Sequence, residues 1–187
     1  MGCKGSKSVI KSNKNMDFLL ANTNFSEAKI NELYDGFIEE CHDGKLRKKF
    51  LEDTYKEMYQ DGDPIDFSHL FFESLDTDKK GYLTFTQFVM ALKDLESDIE
   101  TQYRLLFRVY DMNRNKIIDM NEMIKGIKAV DKIKGIKTKD DKLAKDKAIK
   151  VFDYFEKKIN TNKTNGLSES EFLKACADKE LCSILKP

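Results

Sequence analysis

A chain of 187 residues, 40% hydrophobic and 35% charged, has room for one compact domain or two small lobes with a charge-rich surface. Lys plus Arg and Asp plus Glu both total 33, so no overall positive field points to nucleic acid. The four cysteines (Cys3, Cys41, Cys176, Cys182) are scattered without the CxxC spacing of zinc or dithiol chemistry, and read as reduced thiols of a cytosolic protein. No apolar run approaches the roughly 18–20 residues of a membrane-spanning helix, and the opening residues lack the apolar centre of a secretory signal. Thirteen Phe with only two Pro and nine Gly favour a mostly helical chain.

The first element is an arm over residues 1–16. Met1-Gly2-Cys3-Lys4-Gly5-Ser6 fits the N-myristoylation pattern, a glycine freed by removal of Met1 with a serine four positions on. Lys4, Lys7, Lys11 and Lys14 follow before the first acidic residue, Asp17. A single myristoyl chain binds membranes only marginally, so stable attachment needs a second signal. The basic run, at about 1 kcal/mol per residue near an anionic leaflet, or a palmitoyl group on Cys3, supplies one. The arm is therefore predicted to hold the chain on the cytosolic face of a membrane, with Gly2 as the myristoyl acceptor.

Beyond the arm one pattern occurs four times: apolar residues at helical spacing, a polar twelve-residue loop with an aliphatic eighth residue, and a second helix. The loops begin at Glu39, Asp76, Asp111 and Asn160. Before them stand Leu33, Tyr34 and Phe37; Phe67, Leu70, Phe71 and Leu75; Tyr103, Leu106, Phe107 and Tyr110; and Val151, Phe152, Phe155 and Ile159. The eighth residues are Leu46, Leu83, Ile118 and Leu167, predicted to make one-rung β-contacts between paired loops, first with second and third with fourth. This is an all-α chain of four EF-hand helix-loop-helix units in two lobes, 17–95 and 96–187. The apolar pattern pauses at Lys93–Glu100, read as the join, and again at Asp131–Lys147, read as a solvated, partly helical connector.

Calcium needs six to eight hard oxygens, from loop positions 1, 3, 5, 7, 9 and 12, with a bidentate Glu at 12 and a sharp turn at 6. The first loop has Cys41 at position 3 and Phe50 at 12, so it cannot close around the ion. The second keeps Asp76, Asp78 and Gly81, but Lys80 puts an ammonium at position 5 and Gln87 a neutral amide at 12. The third has the full set: Asp111, Asn113, Asn115, the Ile117 carbonyl, Asp119 and Glu122. Its one fault is Lys116 at the turn, where a non-glycine residue costs on the order of 1–2 kcal/mol. The fourth offers Asn160, Asn162, Thr164, the Gly166 carbonyl, Ser168 through a water, and Glu171 as its one carboxylate among the ligand positions, a weaker cage for a dication.

The stretch Thr23–Gly44, TNFSEAKINELYDGFIEECHDG, resembles the opening of the neuronal calcium sensor family. Thr23, Phe25 and Ser26 match its Thr-x-Phe-Ser start, and Cys41 and Gly44 match its Cys-Pro-Ser-Gly first loop, though not the Pro. Gly62-Asp63-Pro64 with Phe67, and Phe107 with Tyr110 before the third loop, extend the likeness over nearly the whole chain. The resemblance implies a myristoylated sensor with a silent first loop, in which calcium releases the acyl chain and opens an N-terminal apolar groove for a target helix. On this chain that groove would draw on Phe25, Leu33, Phe37, Leu51, Tyr55, Phe85, Phe88 and Leu92, with Leu33 where several members have Trp. The family usually has a competent second loop, and Lys80 and Gln87 depart from it.

A calcium buffer fits less well, since buffers need several strong loops and no anchor. A constitutive regulatory subunit of the calcineurin B type, also myristoylated with four such units, is the main alternative. An enzyme is not expected, because His42 and His69 are isolated and no nucleophile-base spacing or phosphate-cradling glycine loop is present.

Overall fold

The computed structural model describes residues 13–137, 141–159 and 166–187. The apolar spacing folds as expected into helices: among the described residues there are ten, beginning with α1 (Asn13–Asn22). The first unit is α2 (Glu27–Glu40) and α3 (Lys48–Met58), and the second α4 (Ile65–Leu75) and α5 (Phe85–Glu96). The third is α6 (Ile99–Tyr110) and α7 (Met120–Ile133), the fourth α8 (Lys142–Ile159) and α9 (Glu169–Ala177), and α10 (Lys179–Leu185) follows. Helix α1 runs across position 16, where the sequence suggests the end of the arm, because Leu19 is fully buried against the rest of the core.

Local chemistry starts most of these helices. Ser26 caps α2 by accepting from the Lys29 amide, and Asp98 caps α6 by accepting from the Thr101 amide. Reciprocal capping boxes open α5 (Thr84 with Gln87), α7 (Asp119 with Glu122) and α9 (Ser168 with Glu171).

The loops pair as predicted. Leu46 and Leu83 exchange two backbone hydrogen bonds, at 3.0 and 2.7 Å. Strands β1 (Ile117–Ile118) and β2 (Leu167–Ser168) are antiparallel, with Ile118 opposite Leu167. All four eighth-position side chains are at most 1% exposed, so each β-contact is also a plug in the core. Aromatic rings close the two ends: Phe37 meets Phe85 edge-on at 5.4 Å, and Tyr110 meets Phe172 at 5.3 Å.

The two halves share an interface in which α4 packs on α6 and α7. One close contact lies at the linker before α4, where Asp63 donates its amide to the Lys132 carbonyl at 2.8 Å and Lys132 pairs with Asp66. Gly62 is obligatory there, since a Cβ would sit 1.8 Å from the Ile133 carbonyl oxygen.

Two features depart from the pattern-based expectation. Asp131 does not belong to a solvated connector: it is 4% exposed and ion-paired to Lys147 of α8, a contact that fastens α7 to α8. The short α10 had no signal of its own in the apolar spacing. It is held by burial of Leu181, Ile184 and Leu185 and by the Tyr110 hydroxyl, which donates to the Leu185 carbonyl at 3.0 Å.

Candidate metal centre

The third loop joins α6 to α7 and turns back on itself through two left-handed residues, Arg114 (φ 62°) and Lys116 (φ 67°). Lys116 thus takes the strained conformation that its place in the sequence demands, and its amide donates to Asp111 at 3.0 Å. The Asp111 carboxylate also accepts from the Asn115 amide, Asn113 accepts from the same amide at 2.9 Å, and Asn115 accepts from Ile117 at 2.8 Å. Glu122 reaches across the loop: one oxygen accepts from the Asn113 amide and the other from the Asp119 amide, both at 3.0 Å.

Asp111 and Glu122 are 6% and 7% exposed, and among the described residues neither has a cationic side chain within ion-pair distance. Buried carboxylates are costly without a counter-charge, so this pair is a fitting place for a cation. The donors are all oxygens: three carboxylates, two side-chain amides and the Ile117 carbonyl. Among the described residues no three Asp, Glu, His or Cys side chains form a ready-made cluster, so the set depends on amide and carbonyl oxygens as well. That mixture suits a hard divalent cation of the calcium type.

The second loop has the same backbone, with left-handed Lys79 (φ 53°) and Gly81 (φ 77°). Asp76 is buried and accepts from the Lys80 and Gly81 amides at 3.0 and 2.7 Å. Here, however, the Lys80 ammonium lies 2.5 Å from Asp78 and holds that carboxyl below the usual range. Gln87 has its oxygen engaged by the Thr84 amide and hydroxyl, both at 2.9 Å. In the first loop Asp43 is paired to Arg47 at 2.7 Å. Burial, then the nearby Asp43 and Glu40 carboxylates, pushes the Cys41 thiol up.

In the fourth loop Asn160, Asn162 and Thr164 lie outside the described residues. Glu171 accepts from the Ser168 amide and hydroxyl at 2.9 and 2.6 Å. Gly166 (φ 97°) faces β1, where a Cβ would stand 2.6 Å from the Ile118 carbonyl oxygen. Close backbone approach therefore fixes that glycine, whatever its carbonyl binds.

Of the residues expected to form a target groove, Phe37, Leu51 and Phe85 are buried, and Phe25, Leu33, Tyr55, Phe88 and Leu92 are half-buried. Phe37 and Phe88 meet at 5.5 Å on the α2–α5 side, whereas Tyr55 packs on Phe67 and Phe71 of α4. Of the arm, Gly2, Cys3, Lys4, Lys7 and Lys11 lie outside the described residues, and Lys14 is exposed on α1.

One capacity of the loops escapes a ligand-by-ligand reading. In the second, third and fourth loops the twelfth residue also closes the capping box of the exiting helix, paired with the ninth. The signal was present in the sequence as Thr-x-x-Gln, Asp-x-x-Glu and Ser-x-x-Glu.

Helix-loop-helix units paired through their loops give this chain an all-α fold of the EF-hand kind. No protein-family model matches the chain. It is similar to human recoverin, with 29% identity over 191 aligned residues that cover 97% of this chain and 92% of recoverin. That likeness supports a relationship of the neuronal calcium sensor kind.

Proposed function

We propose that this chain is a calcium sensor, attached by a myristoyl group on Gly2 to the cytosolic face of a membrane, where it regulates a membrane-associated target. The observation that carries the reading is the pair of buried third-loop carboxylates, Asp111 and Glu122, with no cationic partner among the described residues. Asp111, Asn113, Asn115, Asp119, Glu122 and the Ile117 carbonyl would hold the ion, which when bound supplies the missing positive charge. The fourth loop, through Asn160, Asn162, Thr164, Gly166 and Glu171, would be a second and weaker site. The similarity to recoverin over nearly the full chain supports the sensor class. The groove residues Phe25, Leu33, Phe37, Leu51, Tyr55, Phe85, Phe88 and Leu92 would grip a helix of the target.

Titration calorimetry tests the central claim. Calcium should bind with one dominant heat, and Glu122→Gln should abolish it, since the variant removes a buried charge from the ligand set. Unchanged affinity in Glu122→Gln would overturn the assignment. A second reading, a subunit bound constitutively to its target, draws on the Lys80–Asp78 pair, which puts a cation of the chain's own into the second loop. A hydrophobic-dye signal that rises with calcium supports the sensor, and a flat signal supports the constitutive subunit.

A further inference from the structure

Arg114 is the fourth residue of the third loop, set between the ligand candidates Asn113 and Asn115. Its side chain leaves the loop altogether. The guanidinium crosses to the other half of the molecule and donates to three backbone carbonyls: Glu73 at 2.6 Å, Thr77 at 2.8 Å and Asp76 at 2.9 Å. These carbonyls end α4 and begin the second loop. The Thr77 amide, four residues after Glu73, is turned instead to the Leu75 carbonyl, so the helix end needs an outside donor. A cation at a helix C-terminus also meets the negative end of the helix dipole. Bonds from a charged fork to three acceptors are strong and directional.

We infer that Arg114 is a positioning residue that conveys the calcium state of the third loop to α4 and the second loop. The inference rests on calcium binding at the third loop, as proposed above. Asp76, whose carbonyl Arg114 holds, is the residue whose buried carboxylate gathers the Lys80 and Gly81 amides. The same side chain therefore grips the backbone at the point from which the second loop is organised. The second loop carries its own cation in Lys80, so its local shape is supplied from within while its placement is set from the third loop. Closing Asn113 and Asn115 on an ion fixes the backbone of Arg114 between them, and the guanidinium then holds α4 at a defined position. Coupling of this kind is reciprocal, so the grip on α4 must in turn favour a closed third loop.

The test uses the full chain and Arg114→Met, which keeps the stem and removes the donors. Two readouts are followed: calcium affinity by calorimetry, and amide hydrogen exchange with and without calcium. In the unaltered chain calcium should slow exchange in the third loop and also at Thr77–Gly81. In Arg114→Met the third-loop slowing should persist, the calcium-dependent increment at Thr77–Gly81 should vanish, and affinity should fall about fivefold or more, the usual lower range of such couplings. Arg114→Lys, with one ammonium in place of a fork, should fall between. A role confined to capping α4 would change exchange equally with and without calcium, leaving the increment intact, and that result overturns the inference. If calcium slows no third-loop amide in the unaltered chain, the sensor reading falls and takes this inference with it.

Discussion

Gln87, Glu122 and Glu171 each accept from the backbone of the residue three positions earlier, and so start α5, α7 and α9. That explains why a loop can lose the charge at its twelfth position and still fold: Gln87 keeps the capping box while giving up the carboxylate. The same economy does not extend to glycines at close backbone approaches. An alanine at position 62 would place its Cβ 1.8 Å from the Ile133 oxygen and 2.5 Å from the Ile133 carbonyl carbon. Both are backbone atoms at the end of α7, and no side-chain rotation can relieve them. Gly62→Ala gains about 0.4–1 kcal/mol from a stiffer unfolded chain. It loses more, about 1–3 kcal/mol, to overpacking. The urea midpoint of the variant should therefore drop, and an unchanged midpoint would contradict so close an approach.

The second loop shows how an element can keep its backbone while exchanging its chemistry. Its left-handed turns at Lys79 and Gly81 match those of the third loop at Arg114 and Lys116, yet its fifth position supplies an ammonium where an oxygen is wanted. Lys80→Asp combined with Gln87→Glu replaces the tethered cation by two carboxylates, and Glu at position 87 still serves the capping box. Calorimetry should then show one more calcium site than the unaltered chain. No gain would mean that α4 and α5 are held too far apart for the ligands to meet. At this scale much was legible beforehand: the helical spacing gave the four units, and the aliphatic eighth residues gave both loop pairings. What local pattern could not show depends on partners distant in the chain. Asp131 is buried because Lys147 neutralises it, α10 is ordered by the Tyr110 hydroxyl, and Arg114 finds its carbonyls 37 to 41 residues away. In the candidate site, the oxygens and the strained turn were legible in the sequence, while the burial of Asp111 and Glu122, without a counter-charge among the described residues, needed the fold.

For the whole molecule, the membrane attachment proposed above would rest on the arm; no described helix is long and apolar enough to cross a membrane. Gly2→Ala removes the proposed acyl acceptor, and with it burial of about 0.8 kcal/mol per methylene, so the variant expressed with an N-myristoyltransferase should stay in the supernatant when anionic vesicles are pelleted. Replacing Lys4, Lys7, Lys11 and Lys14 by neutral residues should weaken binding in part, and the part lost should be the salt-sensitive one. If only the third loop binds strongly, as proposed, and the second is already furnished with Lys80, calcium should alter vesicle binding only modestly. A complete calcium-driven shift of the pool into the pellet would contradict this. The backbone rung between Leu46 and Leu83 has a consequence for how such a protein can drift. Its first loop has Cys41 and Phe50 where oxygen ligands are wanted, yet deleting it would strip Leu83 of its partner and open the core beneath. A candidate ligand position in these loops can thus be replaced without cutting the rung, whereas the eighth residue supplies both the rung and a plug in the core.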